Sequence, residues 1–147
     1  MKTREQISYN MSRVKSSGSL IERRLGKALW ATGIRYRKQY RKLPGRPDFA
    51  IVRAKVAIFC DSSFFHGRGW PAASQNIKSN RDFWIVKIAG NILRDKKVNR
   101  QLNRLGWRYL RFWDRDILSS LGVCVSRVQK LLATQHRTGV NDEIRGR

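Results

Sequence analysis

Two spacings of apolar residues divide the 147-residue chain into helix-like and strand-like stretches. From Leu20 to Thr32, apolar side chains recur every three or four residues, which predicts a helix that ends at Gly33. The same spacing predicts a second helix from Asn80 to Leu105, with Gly90 as a break and Gly106 as the stop. The apolar side of this second helix comprises Trp84, Ile88, Ile92, Val98, Leu102 and Leu105.

Strand-like runs lie between these helices and after the second one. The basic stretch "IRYRKQYRKLPGRP" predicts a strand that enters a turn at Pro44–Pro47. "DFAIV" and "KVAIFC" predict a hairpin of two buried strands, and "WRYLRFW" predicts a further strand. Residues 64–79 predict a surface loop, and "DRDILSSLGVCVSRVQKLLA" predicts one capped final helix. The order of elements predicts an α/β fold in which a mixed sheet is flanked by helices.

The chain has the length of one domain. We expect a basic N-terminal arm over residues 1–19, a folded domain over residues 20–133 and a mobile polar tail over residues 134–147. The two cysteines, Cys60 and Cys124, are isolated in apolar segments and form neither a zinc-binding nor a disulfide pattern.

Charge is the most one-sided property of the chain. Lys and Arg number 32 against 10 Asp and Glu, which gives a formal net charge of +22. Such a charge opposes compaction unless an anion compensates it, and basic residues spread among aromatic ones favour nucleic acid over a membrane. The sequence begins without an apolar signal region, and no apolar run approaches the roughly 20 residues that span a bilayer. We therefore expect a cytoplasmic, nucleoid-associated protein.

Two acidic residues lie in the apolar hairpin. Asp48 opens the first strand and Asp61 closes the second, so a tight hairpin brings both carboxylates to the same end of the sheet. Neighbouring carboxylates are tolerated best around a cation, and oxygen ligands favour Mg²⁺. The plainer interpretation of Asp48, beside a proline, is a turn residue or a helix cap. His66 follows in the loop, where it is either a general base or a surface histidine without function.

Polar and aromatic residues surround these candidates. Lys87, Asn91 and Asp95 share one face of the second helix, which is either simply solvated or places Asp95 to orient His66. Two adjacent phenylalanines in a loop are hard to bury together, and wedges that enter a base stack are their functional counterpart, whereas a tryptophan at helical spacing also suits a core. Candidate wedges are Phe64, Phe65 and Trp84, and candidate phosphate contacts are Arg13, Lys15, Arg46, Lys87, Asn91 and Arg94.

Several motifs together resemble the very short patch repair (Vsr) family of DNA mismatch endonucleases, a branch of the PD-(D/E)XK nuclease superfamily. They are "NM" followed by "IERRL", "LPGRPDF", "IF" followed by "FFH", "FW..KI..N..RD" and "LGWRYLRFWD", in this order from about Asn10 to Ile117. The resemblance implies the fold, cleavage of DNA and an N-terminal arm that clasps the duplex. The implied roles are Mg²⁺ binding for Asp48 with help from Asp61, general-base catalysis for His66 with support from Asp95, water binding at the metal for Glu22, and insertion into DNA for Phe64, Phe65 and Trp84.

One part of the family pattern is missing. Family members commonly carry a structural zinc, and the positions that match its ligands hold Ser63, Arg68, Trp70 and Arg115. Because none of these side chains is a zinc ligand, we expect no structural zinc and a looser loop after His66. The usual superfamily lysine after the second acid is also absent, which agrees with proton handling by His66.

The resulting expectation is a monomeric, Mg²⁺-dependent endonuclease of double-stranded DNA that leaves a 5′-phosphate and a 3′-hydroxyl. The favoured reaction is a strand-specific nick at a T:G mismatch in very short patch repair. Site-specific cleavage in homing or restriction and a catalytically silent DNA-binding protein are the alternatives. A protein that only binds nucleic acid gains little from acids that face the phosphates, because like charges repel. The presence of Glu22, Asp48, His66 and Asp95 together therefore argues against silent DNA binding and against a structural role on RNA.

Overall fold

A computed structural model of the protein describes residues 19–134. Four strands form one sheet in the order β1-β2-β3-β4, in which β1 to β3 are antiparallel neighbours and β4 runs parallel to β3. This is the mixed α/β sheet that the sequence predicted. The strands are β1 (Arg37–Lys38), β2 (Phe49–Ile51), β3 (Val56–Asp61) and β4 (Arg108–Trp113), and the helices are α1 (Leu20–Ala31), α2 (Arg81–Arg104), α3 (Asp114–Ser119) and α4 (Leu121–Ala133).

The sheet separates two apolar clusters because neighbouring residues of a strand point to opposite faces. Ile58 of β3 belongs to the larger cluster, together with Leu25 of α1 and Val128 of α4. Phe59, the next residue of β3, packs in the smaller cluster with Val98 of α2. Consequently α1 and α4 cover one face, and α2 covers the other face, towards which Asp61 also points by the same alternation.

Both ends of α1 follow their predicted signals. The Ser19 hydroxyl accepts a hydrogen bond from the backbone N–H of Glu22, and the helix ends at Ala31 ahead of Thr32 and Gly33. The predicted hairpin of β2 and β3 is also present, and a short 3₁₀ turn over Val52–Ala54 connects its strands.

Four local predictions were wrong. Gly90 does not interrupt α2, which runs for 24 residues, because one helical glycine costs only about 1 kcal/mol. Leu105 follows the last residue of α2 and is 54% exposed, so it lies outside the apolar side. The basic strand shrinks to the two residues of β1. The final helix is two helices, since the backbone of Ser120 leaves the helical region at φ −141° and ψ 46°.

Between residues 19 and 134, every helix is too short or too polar to cross a membrane. The predicted arm, apart from Ser19, and the predicted tail, apart from Thr134, lie outside the described residues.

Candidate active site

The segment after β3 folds tightly against α2 and thereby places His66. The backbone N–H of His66 donates to the carbonyl of Ser62 at 3.0 Å, and the Asn91 side-chain amide donates to the carbonyl of Phe65 at 3.0 Å. Gly67 has a φ of +69°, and a Cβ atom there would lie 2.5 Å from Ile92 Cδ1. Only glycine suits that conformation and that close approach, so the backbone can lie directly on the helix.

His66 and Asp95 form the hydrogen bond that the sequence predicted. Nδ1 of His66 lies 2.6 Å from Oδ2 of Asp95, which is buried in α2. A carboxylate acceptor fixes the proton on Nδ1 and leaves Nε2 as the acceptor atom. Burial lowers the pKa of His66, but the hydrogen bond to Asp95 and the negative charges of Asp61 and Asp95 outweigh burial and raise the pKa above its ordinary value. The imidazole therefore has the tautomer and the basicity of a proton acceptor.

Arg111 of β4 holds the two acids of this region, and the sequence analysis missed it. The guanidinium is 3% exposed, and its Nη1 lies 3.2 Å from Oδ1 of Asp61 and 3.6 Å from Oδ1 of Asp95. Its Nε donates to the side chain of Asn99 at 2.8 Å, and its Cζ lies 3.9 Å from the centroid of the Phe59 ring. An arginine between Leu110 and Phe112, in the interior of the strand, was the available signal, because such a residue is rarely buried unpaired.

Asp48 has different surroundings from Asp61. The Gln39 side chain donates to Oε2 of Glu22 at 3.0 Å and to Oδ1 of Asp48 at 3.2 Å, and the backbone N–H of Cys60 donates to Oδ2 of Asp48 at 2.7 Å. Burial raises the pKa of Asp48 to about 7, and the charges of Glu22 and Asp61 add to that rise while the two hydrogen bonds oppose it. Gln39, which was also missed, joins α1 to the start of β2.

Two groups of side chains are therefore candidates for a metal. Ligand atoms of Asp61, His66 and Asp95 lie within 4.8 Å of one another, but Arg111 already supplies a positive charge to both acids. Glu22 and Asp48 offer oxygen atoms alone, which is the donor set that Mg²⁺ prefers, and Asp48 makes no ion pair within residues 19–134. The residues present thus fit Mg²⁺ at Asp48 with Glu22 nearby.

A cleft of about 350 Å³ opens beside the His66–Asp95 pair and Arg111, whereas Glu22, Asp48 and Asp61 are not among its lining residues. His66 and Asp95 line it, and the predicted polar stripe of α2 lies along its wall, where Arg94 joins Lys87 and Asn91. Arg46 is exposed in the turn before β2 and does not line the cleft, while Arg13 and Lys15 lie outside the described residues.

The three candidate wedges form one aromatic cluster. The ring centroid of Phe64 lies 5.6 Å from that of Phe65 and 5.3 Å from that of Trp84, both in edge-to-face contact. Phe65 is only 7% exposed and packs inside, whereas Phe64 is 36% exposed. Phe83, which the sequence analysis did not single out, is 59% exposed and contacts Trp84 at 4.9 Å. The accessible edge of the cluster therefore consists of Phe64 and Phe83 around Trp84.

Three of the four residues at the positions expected for zinc ligands make hydrogen bonds or an ion pair with acidic side chains of α3. The Ser63 backbone N–H and hydroxyl and the Arg115 backbone N–H all donate to Oδ1 of Asp114. Nη2 of Arg68 lies 3.2 Å from Oδ1 of Asp116. Zinc does not fit the serine, tryptophan and two arginines at these positions. The loop that we expected to be looser is connected to the start of α3 by these contacts.

Comparison with known proteins identifies the family. The family described as DNA mismatch endonuclease Vsr matches residues 1–72. The type II nicking enzyme V.HpaIIP of Haemophilus parainfluenzae is 46% identical, over 80% of this chain and 84% of the relative. The type II nicking enzyme V.NmeDIP of Neisseria meningitidis serogroup C is 43% identical, over 87% of this chain and 86% of the relative. The DNA mismatch endonuclease Vsr of Escherichia coli strain K12 is 34% identical, over 73% and 68% respectively. With this likeness and the mixed sheet around a His–Asp site, the chain belongs to the Vsr family of DNA mismatch endonucleases and is itself a DNA endonuclease.

Proposed function

We propose that the protein nicks one strand of double-stranded DNA beside a T:G mismatch, as a Mg²⁺-dependent monomer. Relatives that are 43% and 46% identical to it over the aligned residues are named nicking enzymes, and a third is named a mismatch endonuclease. The observation that carries the proposal is the His66–Asp95 pair, whose Nε2 is left to accept a proton inside a cleft with basic walls.

Asp48 is the residue that would hold Mg²⁺, with Glu22 directing water towards it. A metal ion bound there supplies charge stabilisation to the phosphate and to the leaving oxygen. The raised pKa of Asp48 supports this assignment, since burial and like charges leave the carboxylate in need of a cation. Asp61 is a weaker candidate ligand, because both of its oxygens face Nη1 of Arg111 at 3.2 and 3.3 Å.

His66 takes a proton from the attacking water at Nε2. The hydrogen bond to Asp95 stabilises the imidazolium that forms, in the way that a buried carboxylate supports a catalytic histidine. Lys87 and Arg94, on the cleft wall, attract the DNA backbone and hold the phosphate near the imidazole. The products are a 5′-phosphate and a 3′-hydroxyl.

Mismatch preference comes from the aromatic cluster. A T:G pair disturbs stacking, so inserting apolar side chains beside it costs less than opening a matched duplex. Phe64 and Trp84 are the members we assign to insertion, and buried Phe65 supports them from below.

The test compares a T:G duplex with the matched duplex, each incubated with Mg²⁺ and with chelator. We expect single-strand cleavage of the T:G duplex that requires Mg²⁺, which denaturing gels reveal while native gels show an intact duplex. Equal cleavage of both substrates would replace mismatch preference by matched-site cleavage. Binding without metal-dependent cleavage would reduce the proposed reaction to silent recognition.

A further inference from the structure

A second cavity, here called the loop pocket, lies on the other side of the segment Ser62–Gly67 from the catalytic cleft. Its volume is about 350 Å³, at the small end of the roughly 300–1,000 Å³ typical of ligand sites, so it suits one nucleotide and not a length of duplex. The residues of this segment are divided between the two cavities. Ser62, Phe65 and His66 line the cleft, whereas Ser63, Phe64 and Gly67 line the loop pocket.

The lining of the loop pocket combines three kinds of group. Phe64 and Trp70 provide aromatic surface, and Ile88 of α2 provides an aliphatic one. Asn76 adds an amide, which both donates and accepts hydrogen bonds. Arg115 adds a guanidinium that makes no ion pair within residues 19–134. Stacking surface, an amide and an uncompensated cation together match a base with its phosphate.

We propose that the loop pocket receives one nucleobase that leaves the DNA stack, and that Arg115 holds the adjoining phosphate. The proposal rests on the proposed DNA endonuclease function. Phe64 connects insertion into the DNA with capture of the base. Its ring lies 5.3 Å from that of Trp84 in the aromatic cluster, and it also forms a wall of the pocket. A wedge weakens the stacking of the neighbouring bases, and an aromatic pocket beside the wedge would compensate the stacking lost by a base that turns out of the duplex.

The positions at which the family resemblance led us to look for zinc ligands form part of this pocket. Ser63, Arg68, Trp70 and Arg115 all line it, and the contacts with Asp114 and Asp116 hold its rim without a metal.

Photocrosslinking tests occupancy directly. Thymines around a T:G mismatch are replaced one at a time by 5-iodouracil, and the duplexes are irradiated with the full-length protein in chelator, where no cleavage occurs. We expect one position to crosslink to Trp70 or Phe64, identified by mass spectrometry. Crosslinks confined to Trp84 and Phe83, or no crosslink although the DNA is bound, would overturn the proposal that the loop pocket receives a base. Failure to bind DNA at all would overturn the endonuclease proposal as well.

Affinity measurements provide a second test. Trp70→Ala is expected to weaken binding of the T:G duplex about tenfold, the loss that removing one stacking partner typically causes. Trp70→Phe should restore most of it. Trp30→Ala, at a half-exposed tryptophan of α1 outside the pocket, is the matched control. If Trp70→Ala folds, cleaves T:G duplex and binds it as tightly as Trp30→Ala does, the pocket has no nucleotide role although the endonuclease function stands. Arg115→Ala, at an exposed side chain, gives the same comparison without loss of packing.

Discussion

Asp48 and Asp61 lie on neighbouring strands, yet their surroundings differ in the charge that faces them. Asp61 contacts a buried guanidinium at 3.2 Å, so the protein itself supplies its counter-charge. Within residues 19–134, the hydrogen-bond donors to Asp48 are neutral, namely the Gln39 side chain and the Cys60 backbone, and the carboxylate faces the like charge of Glu22. This difference is the basis of the proposal that Asp48 binds the metal and that the group around Asp61 handles protons.

Removing the carboxylate charge of Asp48 should have the largest effect. We expect Asp48→Asn to lower Mg²⁺-dependent cleavage by more than about 1,000-fold, because the metal loses its principal oxygen ligand and the several kcal/mol of charge stabilisation that comes with it. Single-turnover cleavage of the T:G duplex over a Mg²⁺ titration measures the loss. If the variant cleaves within tenfold of the parent rate, Asp48 is not the principal metal ligand, and the group of Asp61, His66 and Asp95 becomes the candidate.

Removing the imidazole should come next. His66→Ala is expected to lower the cleavage rate by roughly 10²–10⁴-fold, the usual contribution of general acid–base catalysis, while DNA affinity stays within about twofold. His136→Ala, at the only other histidine, is the matched control. Equal rates for the two variants would remove His66 from the reaction.

Weakening the support of His66 should have a smaller effect and should also change the pH dependence. Asp95→Asn removes a negative charge that raises the pKa of His66, so that pKa falls. A general base works when it is neutral, and cleavage in the variant therefore begins at lower pH, while the maximal rate falls by about 10–100-fold as the imidazole loses its orientation. Asp82→Asn, at an exposed acid of α2, should leave the pH profile unchanged. An unshifted profile in Asp95→Asn would mean that Asp95 has only a packing role.

The smallest effect concerns stability without metal. The pKa of Asp48 is raised from 3.8 to about 7, so its contribution to stability is complete below 3.8 and is lost as pH rises through about 7. In chelator, Asp48→Asn should melt at a higher temperature than the parent protein at about pH 8, by a few degrees, with little difference at about pH 4. Adding Mg²⁺ should reverse the order at the higher pH. Calorimetry measures the melting temperatures. If Asp48→Asn and the parent protein melt at the same temperature at both pH values, the carboxylate of Asp48 is not destabilising without metal.

Local signals predicted the framework of the fold. Helical spacing identified α1 and α2, and the apolar runs around the two acids identified the hairpin, because each pattern is complete within a short stretch. The break at Ser120 and the exposure of Leu105 depend on how the ends of helices pack against other elements. Those contacts have no signature in the spacing of apolar residues.

The site was predictable where a motif was local and unpredictable where a pair was distant. His66 and Asp95 were matched because both belong to recognisable segments, and their hydrogen bond is present. Arg111 and Gln39 were missed because their partners lie up to 50 residues away, and an isolated arginine or glutamine does not reveal the acid that it contacts. Phe65 was grouped with exposed wedges although it is buried, since the sequence does not say which of two neighbours points inward.

The backbone continuity of Phe64, Phe65 and His66 has a consequence for fidelity. Asn91 fixes the carbonyl of Phe65 to α2, and Gly67 fixes the end of the segment, so the aromatic side chains and the imidazole are parts of one short rigid unit. Under the proposed roles, a duplex that displaces Phe64 should also displace the imidazole of His66. A poor fit at the aromatic cluster would then become a misaligned general base in the cleft, without a separate moving element.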